Sequence, residues 1–217
     1  MGAERIIMTK KDRVLRLSQY LDELYPETEC FLDSKSDYQF LIAVLLSAQA
    51  TDRSVNSVTP VLFDAYKDLT SLSKANVSDV YKIIKPVGLG SSKAKNIVNL
   101  ANKLIVDFSG IVPETREQLI TLPGVGNKTA AVFLAEKKHG KFIPVDTHIK
   151  RICKRLGIAN AKDTPDKIEA TLEKYYDGNN HINFHRQIIL FGRNVCAANN
   201  KRKCETCTLD FCKDRKK

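Results

Sequence analysis

The stretch Leu122-Pro-Gly-Val-Gly-Asn-Lys128-Thr, the apolar run Ala130-Ala-Val-Phe-Leu-Ala135 and the segment Pro144-Val-Asp146-Thr-His148 decide how this chain is read. The run Ala130 to Ala135 is apolar all round, which suits a buried helix. Lys128 bounds that helix at one end and Gly140, a residue suited to the C′ position, at the other. Ahead of it, Pro123-Gly-Val-Gly126 reads as a tight turn whose glycines allow positive φ and expose backbone N–H groups. A glycine turn that feeds a helix N-terminus is an anion site, and phosphate is the obvious anion. Lys128 is out of place there, because the positive end of the macrodipole disfavours an ammonium and so favours the free amine. A neutral lysine amine is a nucleophile that forms Schiff bases with carbonyl carbons. The competing reading is a solvated lysine on a helix end.

Asp146 changes that balance. From Lys128 to Lys138 a helix rises about 16 Å. Six extended residues, 140 to 145, reach about 20 Å. The chain is therefore long enough to return along the helix and bring Asp146 near Lys128. Asp146 also reads as the N-cap of a following helix, Thr147 to Leu156, closed by Gly157. Capping and catalysis are compatible for one carboxylate.

The remaining chain is helical in pattern. Val14, Leu17, Leu21 and Leu24 form a stripe that Pro26 ends. Asp37 is expected to cap a helix carrying Phe40 to Ala48. Asp52 is expected to cap another, Ser54 to Ala65, with Pro60 as a kink or break. Further helices fit Val77 to Lys85, Ser92 to Phe108, Thr115 to Leu122, about Asp163 to Tyr176, where Pro165 suits N1, and about Ile182 to Cys196. Alternating strand patterns of useful length are absent, so the fold class is all-α. Val87-Gly-Leu-Gly-Ser-Ser-Lys-Ala94 faintly repeats Pro123-Gly-Val-Gly-Asn-Lys-Thr-Ala130: glycine, apolar residue, glycine, then a lysine before a helix.

The 217 residues carry a formal net charge of +10, with 43% hydrophobic residues. Such a balance allows a proper core and favours a polyanionic partner. The longest clear apolar run, Phe40 to Leu46, is far short of a membrane span. Met1-Gly-Ala-Glu-Arg-Ile-Ile-Met has no signal-peptide core, so an intracellular protein, in cytoplasm or nucleoid, is expected. Disulfides are then not expected, and six cysteines read as ligands or core thiols. Cys153 reads as a small buried hydrophobe. His181 and His185, four apart on a helix, read as ordinary helix residues rather than ligands.

Four cysteines end the chain with the spacing Cys196-x7-Cys204-x2-Cys207-x4-Cys212. Four thiolates hold either a tetrahedral zinc or a [4Fe–4S] cluster, and the widths alone leave both open. Arg193, Lys201, Arg202, Lys203, Lys213 and Arg215 lie around them. A metal that ties the loop Ala197 to Lys203 would present a basic surface to phosphates.

Leu122-Pro-Gly-Val-Gly-x-Lys128-Thr-Ala with Val145-Asp146-Thr-His148 resembles the helix-hairpin-helix and Gly-Pro-Asp signature of the endonuclease III DNA glycosylases. The resemblance extends to Leu45-Leu-Ser-Ala-Gln-Ala-Thr-Asp52, to Gly88-Leu-Gly-Ser-Ser-Lys-Ala94 and to the cysteine-rich tail, from about Tyr38 onward. It implies a two-domain all-α fold. A six-helix domain would run over residues 30–140, and a discontinuous iron–sulfur domain would join 1–29 to 141–217, with Lys128 and Asp146 facing each other across a cleft. It implies that Lys128 attacks C1′ of a damaged nucleotide with help from Asp146. It shifts the cofactor to [4Fe–4S], held by Cys196, Cys204, Cys207 and Cys212. The usual family spacing is x6, x2, x5, so the inner loops differ by one residue while the overall span is kept.

The resemblance also implies a partner: duplex DNA carrying damaged bases or abasic sites, bound by a monomer with no part for a membrane. Leu89, apolar and set between two glycines on a turn, has the form of a minor-groove wedge, against the alternative of a loop leucine folded back on the core. Gln49 offers donors and acceptors to a base edge or an orphaned partner base. Asp52 is chiefly a cap with a lesser substrate role. Gly124, Val125 and Gly126 would offer amides to a phosphate, and His148, Arg193, Lys201 and Lys203 complete the candidate DNA contacts. The expected activity is excision of oxidised pyrimidines followed by β-elimination 3′ to the abasic site. Two alternatives stand beside it. One is a mismatch glycosylase for adenine, uracil or thymine, although the adenine enzymes lack a lysine at the position of Lys128. The other is a non-catalytic helix-hairpin-helix DNA-binding module with a structural metal.

Overall fold

A computed structural model describes residues 8–138, 140–199 and 202–215. Among them every regular element is helical. They fall into two compact units, one Cys30–Lys138 and the other built from the chain up to Glu29 and after Lys138.

The Cys30–Lys138 unit holds seven α-helices, against the six expected: α2 Asp37–Leu46, α3 Asp52–Ala65, α4 Leu69–Ser73, α5 Val77–Ile84, α6 Gly90–Phe108, α7 Arg116–Leu119 and α8 Asn127–Lys137. The added one, α4, has five residues, too few for a helical period to show in sequence. Its core is α2, where every residue from Phe40 to Leu46 is buried. Helix α8 packs on α2, with the Phe40 and Phe133 rings 6.2 Å apart, and α6 packs on α4 and α5. Residues 85–87 form a single 3-10 turn that leads into α6.

Two expected caps move by one residue. Ser36 rather than Asp37 caps α2, and Thr51 rather than Asp52 caps α3, its hydroxyl accepting from the Ser54 N–H. Asp37 and Asp52 instead occupy the first turn, where the macrodipole favours a carboxylate. Helix α3 runs on through Pro60 without a break. Helix α8 stops at Lys137, before Gly140 is reached.

The second unit is built from α1 Lys10–Leu24, α9 Thr147–Arg155, α10 Pro165–Tyr175 and α11 His181–Asn194. Helix α11 is its axis and packs against α1 and α9. The Tyr20 ring meets Phe191 edge-on, and Tyr176 stacks on Phe184. Cys153 is buried in this core, which pushes its thiol up to about 12 and leaves it un-ionised at neutral pH. His181 and His185 are buried on α11, and His181 is pushed below its usual range by burial. Both are residues of a helix, as expected.

The turn ahead of α8 is held by a close approach. Gly124 has φ +79°, and a Cβ there would lie 2.8 Å from both Asn96 Nδ2 and Leu45 Cδ1. Gly126 has open space around it. Gly124→Ala is therefore expected to cost about 1–3 kcal/mol through strain and overpacking. Gly126→Ala is expected to stay within about 0.5 kcal/mol. Urea unfolding of the two variants measures the difference, and equal costs would contradict this packing.

Candidate nucleic-acid and catalytic site

Among the described residues, nine of the eleven α-helices begin on a side-chain cap, from Thr9, Ser36, Thr51, Asp68, Asn76, Thr115, Asp146, Thr164 and Asn180. The two exceptions are α6, which starts after Leu89, and α8, which starts after Gly126. These are the two glycine turns whose sequences faintly repeat. A helix start with no side-chain acceptor leaves its first amides to water or to a ligand. At α8 the Val125 N–H is already used, donating to Leu122 O at 3.1 Å, and its side chain is 6% exposed. Val125 is thus an anchor for the turn. Among the described residues no bond takes up the amides of Gly124 or Gly126. Lys128 follows as the second residue of α8 and is exposed.

Leu89 and Gln49 share a rarer property. Only three non-glycine residues among those described have positive φ: Gln49 at 56°, Leu89 at 48° and Ser109 at 53°. For a leucine this conformation is a genuine outlier, and such strain collects at functional positions. The Leu89 side chain is 59% exposed, so it is not folded back on the core. Gln49 is also exposed, on the turn that follows α2.

A residue without a role in the sequence reading joins these turns. Lys93, in the first turn of α6, is only 5% exposed. Its Nζ donates to Leu46 O at 2.8 Å, to Ala48 O at 2.7 Å and to Val87 O at 3.1 Å. Burial lowers its pKa from the usual lysine value. No sequence motif signals this, because all three acceptors are backbone carbonyls.

In the other unit, Asp146 caps α9 as expected, Oδ1 accepting from the Ile149 N–H at 2.8 Å. One turn on, Arg151 Nη2 lies 3.2 Å from His148 Nδ1 and also donates to Gly192 O and Cys196 O. Arg151 thus ties the first turn of α9 to the end of α11. Arg151 was not singled out by sequence either.

The tail is held by guanidinium groups. Arg155 donates to Cys196 Sγ at 3.2 Å and to Ala197 O at 2.8 Å, and its Nε pairs with Asp214 at 3.1 Å. Arg13 donates to Leu156 O and Phe211 O. Arg202, expected on a basic outer face, is instead bonded to Asp214 at 2.7 Å with its side chain 12% exposed. Arg193 and Lys203 are exposed, whereas Lys201 lies outside the described residues. Cys196, Cys204, Cys207 and Cys212 line one cavity with Leu156, Phe191, Val195 and Leu209. Among the described residues no three His, Cys, Asp or Glu side chains converge as ligands of a metal ion. No helix among them is long and apolar enough to cross a membrane.

Known proteins resemble this chain over most of its length. Residues 42–177 match the HhH-GPD superfamily base excision DNA repair protein family. Endonuclease III of Synechocystis is 42% identical over 207 residues, covering 94% of this chain and 93% of that protein. The chain belongs to the endonuclease III family. A trapped Endonuclease III–DNA covalent intermediate with an estranged adenine superposes with a TM-score of 0.87 and 34% identity, over 93% of this chain and 94% of that one. A non-covalent Endonuclease III–DNA complex gives 0.89 and 35%, over 95% and 96%.

Proposed function

We propose that this endonuclease III family member is a bifunctional DNA glycosylase and abasic-site lyase. It would remove oxidised pyrimidines from duplex DNA and cleave 3′ to the resulting site. One observation carries the reading. The likeness to a trapped Endonuclease III–DNA covalent intermediate spans nearly the whole chain, and this chain has an exposed lysine, Lys128, at an uncapped helix start.

The chemistry follows from the residues. The Lys128 amine attacks C1′ as the glycosidic C1′–N bond breaks, and the departing base takes up a proton. Asp146 accepts the proton lost by the amine or stabilises the positive charge at C1′. Opening of the sugar ring gives a protonated imine, which makes the 2′ hydrogen acidic. Loss of that proton expels the 3′ phosphate by β-elimination, and water then releases Lys128 from the unsaturated sugar. No oxidant or reductant is required. The amides of Gly124, Gly126 and the first turn of α8 are suited to a phosphate beside the lesion.

Leu89 fills the gap left by the displaced nucleotide and Gln49 meets the orphaned base. His148, Arg193, Lys203 and Lys201 complete the contacts to the DNA backbone. Asp52 serves chiefly the start of α3.

The four thiols line one cavity, which suits a shared metal group, and membership of the endonuclease III family favours a cluster over one zinc. Cys196, Cys204, Cys207 and Cys212 would hold a [4Fe–4S] cluster. Bound, it would tie the loop between Cys196 and Cys204 at both ends and keep the thiols ionised against the burial that raises Cys207 and Cys212. Arg155, already on Cys196 Sγ, would stabilise the thiolate charge.

Two measurements test these assignments. Wild-type protein is expected to cleave duplexes carrying an oxidised pyrimidine or an abasic site and to leave a thymine mismatch intact. Asp146→Asn keeps the cap and is expected to cut abasic DNA while base release falls at least about 100-fold, since general-acid–base help is worth that much. Equal losses on both substrates would contradict the role of Asp146. Anaerobically purified protein should be brown with about four irons per chain. One zinc and no iron would contradict the cluster.

A further inference from the structure

The buried Lys93 ammonium has a use beyond the hydrophobic core around it. A lysine has three N–H donors, and all three are taken by carbonyls: Leu46 O, Ala48 O and Val87 O. Leu46 O ends α2, where the negative end of the helix dipole faces a cation favourably, and Ala48 O lies on the turn that follows. The Ala48 carbonyl belongs to the peptide plane that leads directly into Gln49. The Val87 carbonyl belongs to the plane that leads into Gly88, one residue before Leu89. Fixing the two planes fixes the entry to the two strained positions, Gln49 at φ 56° and Leu89 at φ 48°. Both helix neighbours of this bridge lie within one unit, and Gly90 presses on Tyr81 behind it, where a Cβ would come within 2.9 Å.

We propose that Lys93 is a positioning residue for lesion reading, its ammonium locking the Gln49 turn and the Leu89 turn into one rigid head. The proposal rests on the functional reading above, in which those two side chains enter the duplex. Displacing a nucleotide needs the wedge and the orphan-base contact at the same moment. Two loops that moved independently would have to be ordered on binding, at an entropic cost. A shared cation removes that cost beforehand. An abasic site has no base to extrude and depends on the head far less.

The test compares single-turnover excision of an oxidised pyrimidine paired in a duplex with cleavage of a preformed abasic duplex. Wild type, Leu89→Ala, Lys93→Met and the double variant are measured. Lys93→Met keeps chain length and removes every donor. It should slow paired excision about 10- to 100-fold, the scale expected of an ångström of misplacement, and slow abasic cleavage at least tenfold less. The double variant should be little worse than Leu89→Ala, because both changes disable one head. Bare carbonyls cost stability, so Lys93→Gln, which keeps two donors, is measured beside it, with helical content and melting recorded for each. Its paired-lesion loss should fall between wild type and Lys93→Met, or stand alone as a selective loss if Lys93→Met does not fold. Equal losses on the two substrates, losses that multiply in the double variant, or wild-type excision in a folded variant would overturn the proposal. Wild-type inactivity on both substrates would overturn the functional reading beneath it.

Discussion

A helix start leaves its first amides in need of acceptors, and that constraint organises this molecule. Among the described residues, nine helices meet it with a serine, threonine, aspartate or asparagine side chain. Two do not, and both follow glycine turns in the Cys30–Lys138 unit. The stability given up at α6 and α8 is recovered in packing: α8 lies on the buried α2, Gly124 seats against Asn96 and Leu45, and α6 rests on α4 and α5. What remains at the surface is a pair of open helix starts, one followed by the exposed Lys128 and the other preceded by the exposed, strained Leu89.

The two turns look alike in sequence and put their lysines to opposite uses. Lys128, second in α8, stays exposed. Lys93, fourth in α6, turns inward and is saturated by three carbonyls. An amine that must attack carbon has to be within reach of its substrate with its lone pair free. An ammonium that must hold two loops needs as many acceptors as it has donors. The same residue type serves both, and the depth of the side chain decides which.

Much of this was legible in the chain, for local reasons. Glycine spacing, the Asp146 cap with Gly157 behind it, Pro165 at N1 and the apolar stripes all act within a few residues, so the all-α class and the helix bearing Lys128 could be read directly. Four cysteines in seventeen residues marked the tail, for the same reason. Errors of one residue arose where two capping types stand side by side, as in Ser36-Asp37 and Thr51-Asp52. Helix α4 was too short to show a period. The roles of Lys93, Arg151 and Arg155 were not legible, because most of their partners are main-chain carbonyls or groups distant in sequence, which leave no local signature. Arg202 was misread for a related reason: its partner Asp214 is twelve residues on, and only folding shows that it faces inward.

The most direct test of the central assignment is to identify the amine that binds the sugar. Wild-type protein is trapped on abasic duplex DNA with borohydride, digested and mapped by mass spectrometry, beside Lys128→Gln treated in the same way. The Gln variant keeps the turn of Gly124 and Gly126 and should still bind the duplex. With Lys128 as the nucleophile, the adduct falls on the peptide carrying Lys128, and the Gln variant forms none. An adduct on another lysine, or wild-type trapping by Lys128→Gln, would contradict it.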